Sequence, residues 1–156
     1  AEQWTNLIPR KLWYESVEEA SDLMEDQIEV DIQGYDIDGD VVKAARQNAA
    51  DAGVDHLIHF QQRPVSQLRH PKKYGFIITN PPYGERLEER EALPELYRTF
   101  GESFRRLEDW SAYMITSYDE AERYFGRKAD KNRKIYNGMI KTYFYQFMGP
   151  KPPRRQ

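Results

Sequence analysis

The chain has 156 residues and a net charge of −3, with 39% hydrophobic and 31% charged residues. That is long enough for one domain with a buried core, and it excludes a disordered chain, a membrane-spanning helix and the broad basic field of a free-standing nucleic-acid binder. The absence of cysteine excludes disulfides and thiolate metal sites. No secretory signal pattern opens the chain. The first residue is Ala1 rather than Met, which points to processing or excision from a longer polypeptide.

From Pro9, Leu12, Trp13, Val17, Ala20, Leu23 and Met24 recur at helical spacing with acids between them, so a helix of about four turns is expected, with Trp13 and Met24 in the core. Val30 to Ile37 alternates and stops at acids, a strand. Asp38 is placed to cap the next helix, whose stripe is Val41, Val42, Ala45, Ala49 and Ala52 and whose end is marked by Gly53. Leu57 to Phe60 reads as a short strand, and Val65 to Leu68 as a helical turn. Phe76 to Ile78 reads as a buried strand, bounded by Gly75 and a proline pair.

Beyond Pro94, in an opening turn, Leu93, Leu96, Tyr97, Phe100, Phe104 and Leu107 form a strong helical stripe. Ala112 to Thr116 is a strand, and Ala121 to Phe125 a short helix ended by Gly126. The runs 133–136 and 139–147 flank Asn137-Gly138, a hairpin signal in which both turn residues need positive φ. Residues 1–150 make the domain, and 151–156 form a short basic, proline-rich tail. Strands alternating with helices imply a mostly parallel sheet covered on both faces and closed by an antiparallel hairpin.

Ligands of such sheets sit beyond the carboxyl ends of the strands. Asp36 and Asn80 both fall at such ends, and are expected on one edge. Asn80-Pro81-Pro82-Tyr83 sets a carboxamide at a strand end, beside a rigid turn and a flat ring. The amide oxygen can accept from an amino group, and the ring can stack on a planar ligand. The structural alternative is a strand that simply stops, with Asn80 capping the turn and Tyr83 covering core. For Asp38 the cap competes with a ligand role. His56, His59 and His70 lack ligand spacing with carboxylates, so no metal is expected.

Three stretches carry a family likeness: Gly34-Tyr35-Asp36-Ile37-Asp38-Gly39 with its helix to Gly53, Asn80 to Leu87, and the Lys134 to Gly138 hairpin. On them the chain resembles the catalytic domain of S-adenosyl-L-methionine-dependent RNA methyltransferases that modify the guanine N2 amine of 23S ribosomal RNA. These are often labelled N6-adenine-specific DNA methylases. The resemblance implies a Rossmann-like class I methyltransferase fold and a cytoplasmic enzyme acting on RNA. It implies that Asn80, Pro81, Pro82 and Tyr83 form the catalytic loop. The Asn80 oxygen and the Pro81 carbonyl would bind the two amine hydrogens, and Tyr83 would stack on a flipped base. Asp36 would accept from the cofactor ribose and Ile37 would pack on its adenine, with Asp38 and Asn80 also at the cofactor. Gly84, Glu85 and Arg86 would lie on the substrate side. Glu85 and Arg86 read equally as solvated loop charges, an internal pair or a phosphate contact.

Two departures stand out. The chain has no Gly-x-Gly, so the family's glycine-rich cofactor loop is not in it. Where the family places an acid for the adenine amine, this chain reads Gln61-Gln62-Arg63. The chain is therefore expected to be the later part of a catalytic domain. The missing strand would lie between those ending at Asp36 and Asn80, and an RNA-binding THUMP domain would lie upstream. Two other readings stay open: adenine methylation in DNA, and an inactive scaffold or interaction module when isolated.

Overall fold

Pro9 leads into α1 (Arg10–Asp22), its backbone carbonyl accepting from Leu12 and Trp13. The chain is described here as a computed structural model covering residues 3–25, 28–84 and 87–153. It divides into two compact units, residues 1–32 and 33–156. In the first unit the helix forms as expected, but its core does not. No residue of α1 is buried, Trp13 is only half-buried, and Leu12, Val17 and Met24 are exposed. Periodicity specifies an apolar stripe; it does not specify what covers it.

The second unit begins, but for one residue, with β1 (Ile32–Asp36), followed by α2 (Gly39–Asp51) and β2 (Ile58–Gln62). Asp38 caps α2 by accepting from the N–H groups of Asp40 at 2.8 Å and Val41 at 3.4 Å. Of the predicted α2 stripe only Val42 and Ala49 are buried. Gly53 ends the helix region with φ 71°, a conformation that costs glycine least. β1 and β2 pair as a two-stranded sheet.

β3 (Phe76–Thr79), β4 (Ser111–Thr116), β5 (Lys131–Asn137) and β6 (Ile140–Phe147) form a separate sheet in the order β3-β4-β6-β5. β3 and β4 are parallel, while β4–β6 and β5–β6 are antiparallel. The fold is α/β with a parallel pair and a closing antiparallel hairpin, and its strands divide into two sheets between β1 and β3, where a strand was expected to be missing.

α3 (Leu87–Arg105) and α4 (Ala121–Phe125) build the core against the four-stranded sheet. Leu93, Tyr97, Phe100 and Phe104 of α3 meet Phe125, Ala112, Met114, Tyr145 and Phe147. Phe125 is the hub, with ring centroids 4.2 Å from Phe147 and 5.6 Å from Phe104. Gly101 lets α3 approach α4 closely, since a Cβ there would stand 2.0 Å from the Phe125 carbonyl oxygen.

Three expectations are corrected. Phe76 and Ile78 are 65% and 82% exposed, and only Ile77 and Thr79 turn toward packed surroundings. A three-residue apolar run does not distinguish burial on one face from burial on two. Pro94 lies inside α3 rather than in its opening turn. The strong helix formers from Leu87 to Ala92 extend the helix ahead of it, at the cost of one backbone hydrogen bond. The hairpin turn is Gly138-Met139, one residue later than expected, because Asn137 still pairs with Ile140. Gly138 takes φ 61° at the first turn position, the glycine preference of a type II′ turn.

Candidate active site

β3 and β4 run in parallel, with Thr79 opposite Met114. Asn80 therefore emerges at the carboxyl edge of the pair, and its side chain is exposed. The Tyr83 hydroxyl donates to the Asn80 side-chain oxygen, so ring and carboxamide form one unit. That oxygen has a second lone pair for another donor. The Pro81 carbonyl accepts no hydrogen bond among the described residues.

The loop is braced from below by groups that the sequence reading did not single out. Tyr97 donates from its hydroxyl to the Pro82 carbonyl at 3.3 Å and lies 2.6 Å from Thr116 Oγ1. Thr116 Oγ1 in turn accepts from the Tyr118 N–H at 3.0 Å. The three contacts are satisfied together if the Thr116 hydroxyl donates to Tyr97. The loop is thus tied to α3 and to the end of β4. Burial pushes the Tyr97 phenol well above its ordinary value, with the Thr116 hydrogen bond opposing more weakly, so Tyr97 acts as a neutral donor. At the loop's far end Arg90 Nε donates to the Gly84 carbonyl at 2.7 Å. Gly84 is buried with φ 76°, and a Cβ there would press on Arg90 and Leu93 at 2.8 Å. One signal for Tyr97 was present: a phenol inside a buried helical stripe needs a partner for its hydroxyl.

The end of β1 makes a second cluster. Asp36 is half-buried and accepts from the Asp38 N–H at 2.9 Å through one carboxylate oxygen. Ile37 is 71% exposed, and its carbonyl accepts from Gln62 Nε2 at 2.9 Å. The Arg63 N–H donates to the Asp36 carbonyl at 2.8 Å, and the Arg63 guanidinium lies 4.7 Å from the Tyr35 ring centroid. The residues that stand where an acid was expected therefore shape the Asp36–Ile37 turn. Asp38 is engaged as a helix cap. Glu85 and Arg86 lie outside the described residues.

A cavity of about 370 Å³ lies elsewhere, among Phe104, Trp110, Phe125, Arg127 and Met148, at the amino-terminal edge of β4. It holds none of the expected site residues. Its place, opposite the edge that carries Asn80, separates it from the chemistry read here.

This α/β fold with its closing antiparallel hairpin is that of class I methyltransferase structures. Residues 1–146 match the family model UPF0020, the RMKL-like methyltransferase domain, and the chain belongs to that family. It is 38% identical over its whole length to "Putative RNA methyltransferase YpsC" of Bacillus subtilis, of which it covers 40%. It is 37% identical over 122 residues, 75% of this chain, to "Ribosomal RNA large subunit methyltransferase K/L" of Cellvibrio japonicus, of which it covers 16%. Among solved structures it resembles a possible methylase of Clostridium difficile (47% identity, TM-score 0.85, 95% of this chain and 39% of that one). It also resembles SMU.472, a methyltransferase-like protein complexed with SAH (38% identity, TM-score 0.84, 94% of this chain and 39% of that one). The chain thus spans about two fifths of YpsC and of these two solved chains.

Proposed function

We propose that this chain carries the base-side and ribose-side parts of an S-adenosyl-L-methionine-dependent methyltransferase acting on an exocyclic amine in RNA, guanine N2 of 23S ribosomal RNA. The observation that carries the reading is the Asn80–Tyr83 unit, exposed at the end of β3 and braced through Pro82 by Tyr97. Family membership and the names of the relatives support the class of reaction.

The cofactor, when bound, supplies a methyl carbon activated by a positively charged sulfur. The residues present fit its nucleoside end. Asp36 commits one carboxylate oxygen to a local turn and keeps the other for a ribose hydroxyl. Ile37 presents an exposed apolar side chain suited to the adenine face. The exocyclic amine is a weak nucleophile because its lone pair is delocalised into the ring. Asn80 Oδ1 and the Pro81 carbonyl would accept its two hydrogens and favour a pyramidal nitrogen, whose lone pair would take the methyl carbon that the cofactor supplies. The proton displaced from nitrogen would leave to solvent at this exposed edge. Tyr83 swings from Asn80 to stack on the extruded base. Positioning is the protein's main contribution. In this reading Gly84, and Glu85 and Arg86 that follow it in the sequence, are assigned to substrate binding.

Two finer parts belong to the same proposal. A strand and glycine-rich turn from a longer polypeptide fill the space between β1 and β3 and hold the methionine end of the cofactor, with a THUMP domain upstream. The separate sheets and the exposed Phe76 and Ile78 support this. Micromolar S-adenosylmethionine binding by the isolated chain, measured by calorimetry, would count against it.

The test of the main reading is Asn80→Ala in the full-length protein, with labelled methyl transfer into 23S ribosomal RNA from a deletion strain. Transfer is expected to fall about 10²–10³-fold, the size of losing one positioned hydrogen-bonding group at a transition state. Unchanged turnover rejects the role. A relative from Listeria monocytogenes, 42% identical over 91% of this chain with TM-score 0.81, is titled a predicted N6-adenine-specific DNA methylase and favours a DNA reading. Nucleoside analysis of both nucleic acids from the deletion strain separates the two: loss of a methylated guanine from RNA supports the first, and loss of N6-methyladenine from DNA the second.

A further inference from the structure

Charge along this chain is strongly segregated. Residues 131–156 contain seven lysines and arginines and no acid, so the first 130 residues carry a net −10. Most of the described cations of that segment sit on the β5–β6 ribbon. Lys131, Arg133, Lys134 and Lys141 are all exposed, and none has an acidic partner within ion-pair distance among the described residues.

The register fixes where the ribbon goes. β6 pairs with β4 only as far as Tyr143 opposite Thr116, and Ile140, Lys141 and Thr142 pair with β5 alone. At about 3.4 Å per residue the ribbon extends roughly 10 Å beyond the end of β4. That is the edge at which Asn80 leaves β3. β6 is two strands from β3, so it lies roughly 10 Å to the side at the usual strand spacing. The ribbon is held as a unit, because buried Thr142 donates across it to the Ile135 carbonyl at 2.9 Å.

The side chains on its outer part alternate cation and ring. Tyr136 faces Lys141, and Lys134 faces Tyr143. Lys141 Nζ lies 5.0 Å from the Tyr143 ring centroid. Tyr136 is 65% exposed, and Met139 at the tip is 97% exposed. Edge strands often carry lysine to block pairing with other sheets. That account does not cover the exposed tyrosine and methionine, which such protection disfavours.

We propose that the β5–β6 ribbon is an RNA-contacting arm, in which Lys134 and Lys141 hold phosphates of an unpaired RNA segment and Tyr136 stacks on one of its bases. The inference rests on the reading that the substrate is RNA and adds the surface that receives it. Cations that track the backbone beside aromatic platforms are the recurring chemistry of single-strand binding.

The test uses the full-length protein and a fluorescein-labelled 24-nucleotide RNA stem-loop, with binding followed by anisotropy between 50 and 200 mM KCl. Lys134→Glu with Lys141→Glu is expected to weaken binding at least tenfold and to lower the salt slope by about 1.4, since each phosphate contact to a single strand contributes about 0.7. Tyr136→Ala is expected to weaken binding about fivefold with the slope unchanged. Lys134→Arg with Lys141→Arg is expected to keep wild-type affinity. S-adenosylhomocysteine affinity and the thermal midpoint, unchanged in each, show that the fold is intact. If the reversed-charge protein does not fold, Lys134→Gln with Lys141→Gln serves instead, with the same drop in slope expected. Wild-type affinity and slope in the charge variants overturn the ribbon proposal alone. No RNA binding by the wild-type protein overturns the RNA reading and the ribbon with it.

Discussion

The two strand ends that carry the candidate site are held in different ways. At the end of β1, Asp36 and Asp38 are fixed by backbone N–H groups two or three residues away, and Gln62 at the end of β2 and Arg63 just after it add to the hold. At the end of β3, the loop is held from a distance: Tyr97 lies 15 residues beyond Pro82 and 19 before Thr116. The first end is a property of its own turn. The second is a property of how α3 packs on the sheet. Damage to the core should therefore reach the β3 loop and spare the β1 turn.

The strongest way to sharpen that contrast is Phe125→Ala. It empties the centre of the aromatic core, and a loss of about 3–5 kcal/mol is expected. Denaturant unfolding checks the size. Hydrogen exchange should show the backbone N–H groups near Tyr83–Gly84 loosening before that of Asp38. Equal loosening at both ends would break the comparison.

Tyr97→Phe is narrower. It removes one hydroxyl from a buried network and leaves Thr116 and the Pro82 carbonyl short of a partner, at a cost of about 1–3 kcal/mol. It also has a pH signature. Burial raises the folded Tyr97 pKa above the unfolded value of about 10. As pH rises past that value the unfolded chain loses the proton first. Stability from this group is therefore intact below pH 10 and falls above it. Thermal melts from pH 8 to 11 should show a shallower alkaline loss in Tyr97→Phe than in wild type.

The smallest effect is expected at the other end. Asp38→Ala removes the cap of α2 and should cost about 1 kcal/mol, with the Asn80 loop unaffected. A melt read together with methyl transfer tests this. A transfer defect much larger than the stability loss would instead give Asp38 a direct part at the cofactor.

Much of this was legible in the sequence because the signals were local. Pro9, Asp38, Gly53 and Gly126 mark helix boundaries by the backbone chemistry of each residue, and of the predicted stripe from Leu93 to Leu107 all but the partly buried Leu96 are buried. The exposed Asn80 and the aromatic beside it could be read from four residues. Burial was less legible. Phe76, Ile78, Leu12 and Met24 are apolar and exposed, because what covers a stripe or a strand face is not written in that segment. The bracing of the loop was also hidden, since Tyr97 and Thr116 meet only after α3 has packed against β4. The hairpin shifted by one residue because glycine, not asparagine, takes the first turn position.

The central claim is that Tyr97 acts by holding the loop that presents the Asn80 carboxamide. A double-mutant cycle of Asn80→Ala and Tyr97→Phe in the full-length protein, read by single-turnover methyl transfer, addresses it directly. The account predicts that Tyr97→Phe slows transfer in the presence of Asn80 and has no further effect once Asn80 is alanine. Independent, multiplying losses in the double variant would contradict it.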